Sequence, residues 1–334
     1  MHMRIGILGP IPRDTITTHR GEKIKKYGGA IHPTIGLSKL LGEEDALVPV
    51  AHINKTDEEP ILNLLSNYSN IETTHISSKD DEGSIVELVF INQNDRIETQ
   101  AGAMKPIVSE DLSGIDCSVL VCVPITNYEI PLKTLKQIKS SSEVLVIFDA
   151  HGPTTQVDNK GNRLRVHWLD MMDWLPYIDV LKMNLEESQY CYFLPGEIQD
   201  YDVNRRDHLD AFAEQVLKAG VKHLYITLDS EGCNWYTKVK GKTSTVFIPA
   251  YPVDHVVDTT GCGDSFAGGL AYGFGRHSDP YLAAQYANIL GAMRTQGKTF
   301  EVFKDLQTTE QMIARFYGSE NKKKTKIQIS GPLH

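Results

Sequence analysis

Between a strand-like HVV (255–257) and an apolar SFAGGLAYGF (265–274), residues 258–269 read DTTGCGDSFAGG. Each Gly inside a helix costs roughly 1 kcal/mol relative to Ala, so the first half of this run must be a turn. Strand, glycine turn and helix in succession present free backbone N–H groups to an anion. Gly261 and Gly263 can take φ values closed to other residues, so consecutive N–H groups can point into one concavity at the positive end of a helix. Asp264 falls in the first turn of that helix, where a carboxylate can serve simply as a cap worth about 1 kcal/mol. A cap needs only one carboxylate, and Asp258 supplies a second. Two carboxylates beside an anion site are unfavourable unless one takes a proton from an incoming hydroxyl or holds a cation.

The rest of the chain alternates strand and helix. RIGILG (4–9), ALVPVA (46–51), CSVLVCV (117–123), EVLVIFD (143–149), YIDVLKMN (177–184), KHLYITL (222–228) and STVFIPA (244–250) read as strands. Several are continuous apolar runs, as expected of strands covered on both faces. Helical spacing appears at 34–41, 58–68, 129–140, 185–192 and 204–220. The pattern implies an α/β fold with a doubly wound, mostly parallel sheet flanked by helices. Residues 84–101 break the rhythm: two strands around the turn signal NQND suggest a hairpin, and DTITTH (14–19) suggests a further short strand. The segment 151–168 is long for a connection and follows the C-terminal end of a buried strand, where ligands bind in open sheets. NKKKTK (321–326) is a lone basic cluster that reads as a solvated terminal stretch.

Among 334 residues, 34 Lys and Arg against 43 Asp and Glu give a net charge of −9, which argues against broad nucleic-acid or anionic-membrane binding. No apolar run reaches the roughly 18 residues of a membrane span, and MHMRIGILGPI is too short for a signal peptide. Five cysteines without a CxxC pair suggest reduced thiols and a cytoplasmic setting.

The turn at 258–264 resembles the D-T-x-G-A-G-D stretch of the ribokinase-like (PfkB) family of carbohydrate and nucleoside kinases. Asp258, Thr259, Gly261, Gly263 and Asp264 match it, Gly268 and Gly269 continue into the small-residue helix, and Cys262 replaces the usual Ala. KMNLEE (182–187) resembles the family's N-x-x-E through Asn184 and Glu187; ITLDSEG (226–232) is similar to T-L-G-x-x-G, with Asp229 for the first Gly. QYANILGAMRTQG (285–297) is similar to the helix behind the adenine, with Asn288 in place, and Asp14, Gly28 and Gly29 fall where the family holds sugar hydroxyls. Their order and spacing carry the resemblance more than any one fragment.

The resemblance implies a single ribokinase-like domain over 1–334, with a small β lid from about 14–19 and 84–103 inserted in it. It implies transfer of the ATP γ-phosphoryl group to a hydroxyl of a sugar or sugar-like molecule. Asp264 would be the general base, and the N–H groups of Gly261, Cys262 and Gly263 the anion hole. Asn184, Thr227, Gly232, Gly261, Gly263 and Asn288 would bind ATP. Asp14, Gly28, Gly29, His32 and Asp264 would bind the acceptor. Glu187 would position Mg²⁺ through water, and Asp258 fits a monovalent-cation site, which leaves K⁺ open. Lids pair between subunits in many relatives, which leaves a homodimer open.

The substrate half departs from the pattern. GGAIHPT puts His32 and Pro33 where the family has a sugar-binding Asn, GAMKP (102–106) replaces G-A-N, and FDAHGP (148–153) replaces F-D-x-N-x-R. A nucleoside kinase of the adenosine or inosine type remains an alternative, with Tyr27, Phe90 or Trp168 as a shelf for the base. A non-catalytic sugar- or nucleotide-binding relative is a third reading. A nicotinamide-dependent oxidoreductase is excluded by GILGPIPRD, which lacks the G-x-G-x-x-G turn.

Overall fold

The apolar runs become the spine of a ten-stranded sheet in the computed structural model, which describes residues 2–92, 96–198, 200–318 and 327–329. In chain order the strands are β1 (Arg4–Leu8), β2 (Arg13–Thr17), β3 (Lys23–Tyr27), β4 (Ala46–His52), β5 (Ile76–Ser77), β6 (Ile85–Phe90), β7 (Arg96–Gly102) and β8 (Val119–Cys122). There follow β9 (Leu145–Asp149), β10 (Thr155–Val157), β11 (Arg163–Arg165), β12 (Val180–Asn184), β13 (His223–Thr227), β14 (Gly232–Val239), β15 (Lys242–Pro249) and β16 (Ile327–Ile329). The helices are α1 (Ile31–Ser38), α2 (Glu58–Leu65), α3 (Leu132–Ser141), α4 (Met171–Trp174), α5 (Leu185–Tyr192), α6 (Leu209–Lys218), α7 (Cys262–His277), α8 (Pro280–Arg294) and α9 (Leu306–Tyr317).

The order across the large sheet is β16-β15-β14-β13-β12-β9-β8-β1-β4-β5. From β13 to β5 every pairing is parallel, and β14, β15 and β16 close the other edge antiparallel. Alternation hidden within the apolar runs sends side chains to two cores. Ile5, Ile7, Val121, Ile147 and Val180 pack with α1, α7 and α8 on one face; Leu120, Cys122, Val146, Phe148 and Leu181 pack with α3 and α6 on the other. This is the doubly wound sheet that the strand rhythm implies.

The irregular N-terminal part forms a second sheet, in the order β3-β2-β6-β7. The strand expected at 14–19 is β2, and the expected hairpin is β6–β7, with residues 93–95 of its turn outside the described residues. Lysine-rich β3 (KIKKY) escapes a hydrophobic pattern because it is an edge strand with little burial. The 151–168 segment is ordered by a short hairpin, β10–β11, which leans on the small sheet through the bridge between Thr99 and Asn162. The helix expected at 34–41 starts earlier, at Ile31, and is buried throughout. The basic cluster at 321–326 lies outside the described residues.

Helices α7 and α8 approach closely because α7 offers glycines to alanines of α8. A Cβ on Gly269 would lie 2.4 Å from Ala287 Cα, and one on Gly273 would lie 2.2 Å from Ala283 Cα. Gly273→Ala gains about 1 kcal/mol of helix preference. It must also push α8 aside, and overpacking costs about 1–3 kcal/mol. The overlap is with the backbone of Ala283, so we expect net destabilisation, read as a lower thermal unfolding midpoint.

Candidate active site

The glycine turn and its helix form as the sequence suggests, but the strand expected at 255–257 does not: HVV is irregular and exposed, with Val257 N–H donating to Thr295 O at 2.7 Å rather than to a neighbouring strand. Gly261 stands at φ +84, in the left-handed region, and α7 begins at the next residue. Its carbonyl accepts from Ser265 N–H at 3.0 Å and Ser265 Oγ–H at 2.7 Å. Gly263 lies in the first turn of α7, where backbone N–H groups have no intrahelical acceptor. The Cys262 N–H instead donates to Thr259 O at 3.2 Å, so it must turn away from that bond to serve an anion.

Asp264 lies in the same first turn, half-buried. Burial pushes its carboxyl up to about 7, helped by the charges of Asp149 and Glu187 and opposed by Lys182 and Arg294. Lys182 and Asp149 sit beneath the turn, with Lys182 Nζ donating to Asp149 Oδ2 at 2.7 Å. A Cβ on Gly263 would come within 2.9 Å of that ammonium.

On the other side of the turn, α1 and the small sheet bring in Asp14, Gly28, Gly29 and His32. Asp14 is buried at the start of β2, and burial raises its carboxyl to about 7, with Lys26 and Arg163 opposing. Only a glycine fits at position 28, since a Cβ there would stand 2.2 Å from Asp14 Oδ2. His32 is fully buried over Gly261; its Nδ1 accepts from Arg294 Nε at 3.1 Å. The proton of the neutral ring therefore sits on Nε2, a buried atom without a hydrogen-bond partner among the described residues. Burial, then Arg294 and Lys26, hold the ring neutral by lowering its proton affinity well below the ordinary value.

Asp258 carries two cations. Lys26 of β3 pairs with its Oδ2, Arg294 Nη2 donates to the same oxygen at 2.8 Å, and Thr260 N–H donates to Oδ1 at 2.9 Å. Burial works against this carboxylate, but Lys26 and Arg294 overcome it and bring it down to about 2.

Asn184 and Glu187 form a capping box on α5. Asn184 Oδ1 accepts from Glu187 N–H at 2.7 Å, and Glu187 Oε2 accepts from Asn184 N–H at 2.8 Å. Glu187 Oε1 faces His151 Nδ1 at 3.0 Å and Arg165 Nη2 at 3.4 Å. Burial notwithstanding, His151, Arg165 and Lys182 hold Glu187 well below the usual carboxylate range. Among the described residues no cluster of three or more His, Cys, Asp or Glu could cage a metal ion. Thr227 ends β13, beside Asn184 in register. Asn288 donates to Pro249 O at 3.1 Å, and a Cβ on Gly232 would meet Ile248 O at 2.1 Å, which marks both as framework of the same end of the sheet.

Arg163, next to Arg165 on the β10–β11 hairpin, ties the site to the small sheet. It donates to Glu98 at 2.9 Å, Gln100 Oε1 at 2.8 Å and Ile125 O at 2.9 Å, and lies 3.2 Å from His151 Nε2.

Sequence reasoning missed Lys26, Asp149, His151, Arg163, Arg165, Lys182 and Arg294. A signal existed for Lys182: a lysine inside the apolar run YIDVLKMN must be paired if the strand is buried. For Lys26, Arg163 and Arg294 there was none, because their partners come from distant parts of the chain.

The profile of the pfkB family carbohydrate kinases matches residues 56–300. The chain is similar to the deoxyribokinase of Salmonella typhi, 29% identical over 122 residues, and so spans 38% of that relative's length and 34% of its own. Its fold is similar to a pyrophosphate-dependent kinase of the ribokinase family, solved with a pyrophosphate analogue and myo-inositol (TM-score 0.70, 16% identity, 89% of this chain and 98% of that one). It is equally similar to Arabidopsis thaliana ribokinase, solved with ribose and ATP (TM-score 0.70, 16% identity, 94% of this chain and 99% of that one). At such identity the likeness shows a ribokinase-like fold.

Three carboxyls of this cluster should titrate away from their ordinary range. Side-chain carboxyl ¹³C NMR is expected to give midpoints near 7 for Asp14 and Asp264 and near 2 for Asp258. Asp149→Asn removes a negative neighbour and frees the Lys182 charge, so it should lower the Asp264 midpoint; a rise would contradict the electrostatics described.

Proposed function

The chain belongs to the pfkB family of carbohydrate kinases, and we propose that it transfers the γ-phosphoryl group of ATP to a hydroxyl of a sugar or sugar-like polyol. The observation that carries this proposal is Asp264, a carboxyl in the first turn of α7 with its proton affinity raised to about 7. A general base works best when its pKa lies near the operating pH. In the proposed step the acceptor oxygen attacks the γ-phosphorus, its proton passes to Asp264, and the bond to ADP breaks with the electron pair on the departing oxygen. Backbone N–H groups of Gly261, Cys262 and Gly263 take up charge on the phosphoryl oxygens, the part of phosphoryl transfer a protein chiefly supplies.

Asn184, Thr227, Gly232 and Asn288 would frame the nucleotide. Asp14, Gly28 and Gly29 would hold the acceptor, with the unpartnered Nε2–H of His32 as a further donor to it. The small sheet is the proposed lid of a single catalytic unit, and Arg163 is its link to the catalytic half. Exposed Val89, Ile91 and Ile97 on that lid favour pairing with a second copy.

Mg²⁺, when bound, would neutralise charge on the donor's phosphates. Glu187 already accepts hydrogen bonds at both oxygens, so it would help hold the ion through water rather than by direct ligation. Lys26 and Arg294 already neutralise Asp258, which favours turnover without K⁺.

Asp264→Asn should fold and bind nucleotide but lose roughly 10²–10⁴ of turnover, the range for a removed acid–base group. Near-wild-type ADP formation in that variant would refute the assignment. For the wild type, kcat/KM should rise with pH and level off above about 7, because the base must be ionised. Replacing Na⁺ by K⁺ in the assay should leave the rate unchanged; strong activation by K⁺ would show that the tethered cations do not suffice.

A further inference from the structure

The phosphoryl-transfer proposal leaves one buried charge pair without a task. Lys182 and Asp149 stand directly opposite each other on the adjacent parallel strands β12 and β9. Lys182 lies two residues before the end of β12, and Asp149 is the last residue of β9; in open α/β sheets ligands bind beyond those C-terminal ends. Both are buried, at 4% and 2% exposure. Stability alone gives little reason to keep such a pair. Its mutual attraction roughly offsets lost hydration, and apolar residues of similar volume often do as well. Asp149 Oδ2 accepts from an ammonium that has three N–H donors. That ammonium lies directly against Gly263, the second glycine of the anion turn, where a Cβ would approach it to 2.9 Å. Asp149, Glu187 and Asp264 together keep it charged in spite of burial.

We infer that Lys182 is a further catalytic residue, the cationic member of the anion hole, which donates a charge-assisted hydrogen bond to a non-bridging oxygen of the transferring phosphoryl group. Asp149 is its positioning residue. The inference rests on the phosphoryl-transfer proposal above and adds the group that meets the phosphoryl charge. The bond making and breaking are unchanged. The acceptor oxygen bonds to phosphorus, the bond to ADP breaks with its electron pair on ADP, the hydroxyl proton goes to Asp264, and Lys182 keeps its own proton. A formal positive charge roughly doubles the strength of a hydrogen bond relative to a neutral donor. Backbone amides alone cannot supply that.

Lys182→Met by itself strands Asp149 as a buried unpaired charge and risks misfolding, so the decisive protein is the double variant Asp149→Asn/Lys182→Met. Removing one charge of each sign leaves the field at Asp264 nearly balanced. Its pH profile should therefore keep its rising limb, which separates contact with phosphoryl from any effect on the base. Calorimetric titration with Mg-ADP and with a non-hydrolysable Mg-ATP analogue reads the phosphoryl contact without needing the acceptor. We expect wild type to favour the triphosphate, and the double variant to bind Mg-ADP as wild type does but lose that preference. With the acceptor, kcat should fall roughly 100- to 1,000-fold, as when one donor of an oxyanion hole is removed, with little change in the acceptor's KM. A double variant that keeps both the triphosphate preference and wild-type kcat would show the pair to be structural and overturn the inference alone. A wild type that binds neither nucleotide would overturn the phosphoryl-transfer proposal itself, and Lys182 with it.

Discussion

Three side chains reach the centre of this site only because three β-carbons are missing. Asp14 packs against Gly28, His32 against Gly261, and Lys182 against Gly263, at distances that any Cβ would turn into overlap. Gly261 also needs its left-handed backbone to swing α7 into line. The anion turn is thus held between α1 and the small sheet on one side and the ends of β9 and β12 on the other. Glycine here serves contact as much as flexibility. The same device, repeated at Gly269 and Gly273, lets α8 lie close enough to α7 for Arg294 to reach Asp258 and His32.

Once these groups are close, electrostatics sorts them into two classes. Asp258 and Glu187 are held ionised by cations that the fold brings to them, Lys26 and Arg294 for one, His151, Arg165 and Lys182 for the other. Asp14 and Asp264 have weaker compensation, and burial leaves them able to gain and lose a proton near neutrality. The proposed phosphoryl transfer would use both kinds: fixed charges to hold the architecture against a polyanionic donor, and one carboxyl free to accept a hydroxyl proton. The β10–β11 hairpin joins the classes, since Arg163 braces the small sheet and Arg165 braces Glu187 from the same strand.

The sheet was legible because its strands are local apolar runs, and the anion turn because its glycines and carboxylates are contiguous. Asp264, Asn184 and Glu187 come together at one end of the sheet, although each motif was readable only by itself. What could not be read depends on chain distance. Lys26 meets Asp258 across 232 positions, and Arg294 meets His32 across 262, so no window of sequence contains either pair. Edge strand β3 and the β10–β11 hairpin were illegible for another reason: they bury too little to show an apolar period. His32, recognisable as a departure from the family pattern, gained a definite tautomer only when its partner Arg294 was in place.

The most direct test of phosphoryl transfer is ³¹P NMR of Mg-ATP with the protein and a panel of sugars, polyols and nucleosides. The γ-phosphorus signal should convert to a phosphomonoester resonance, one equivalent per ADP formed, with at least one acceptor and little orthophosphate. Release of orthophosphate alone would contradict transfer to a bound hydroxyl. An unchanged ATP spectrum across the whole panel, with nucleotide demonstrably bound, would contradict catalysis by Asp264 and return the chain to the non-catalytic relatives of its fold.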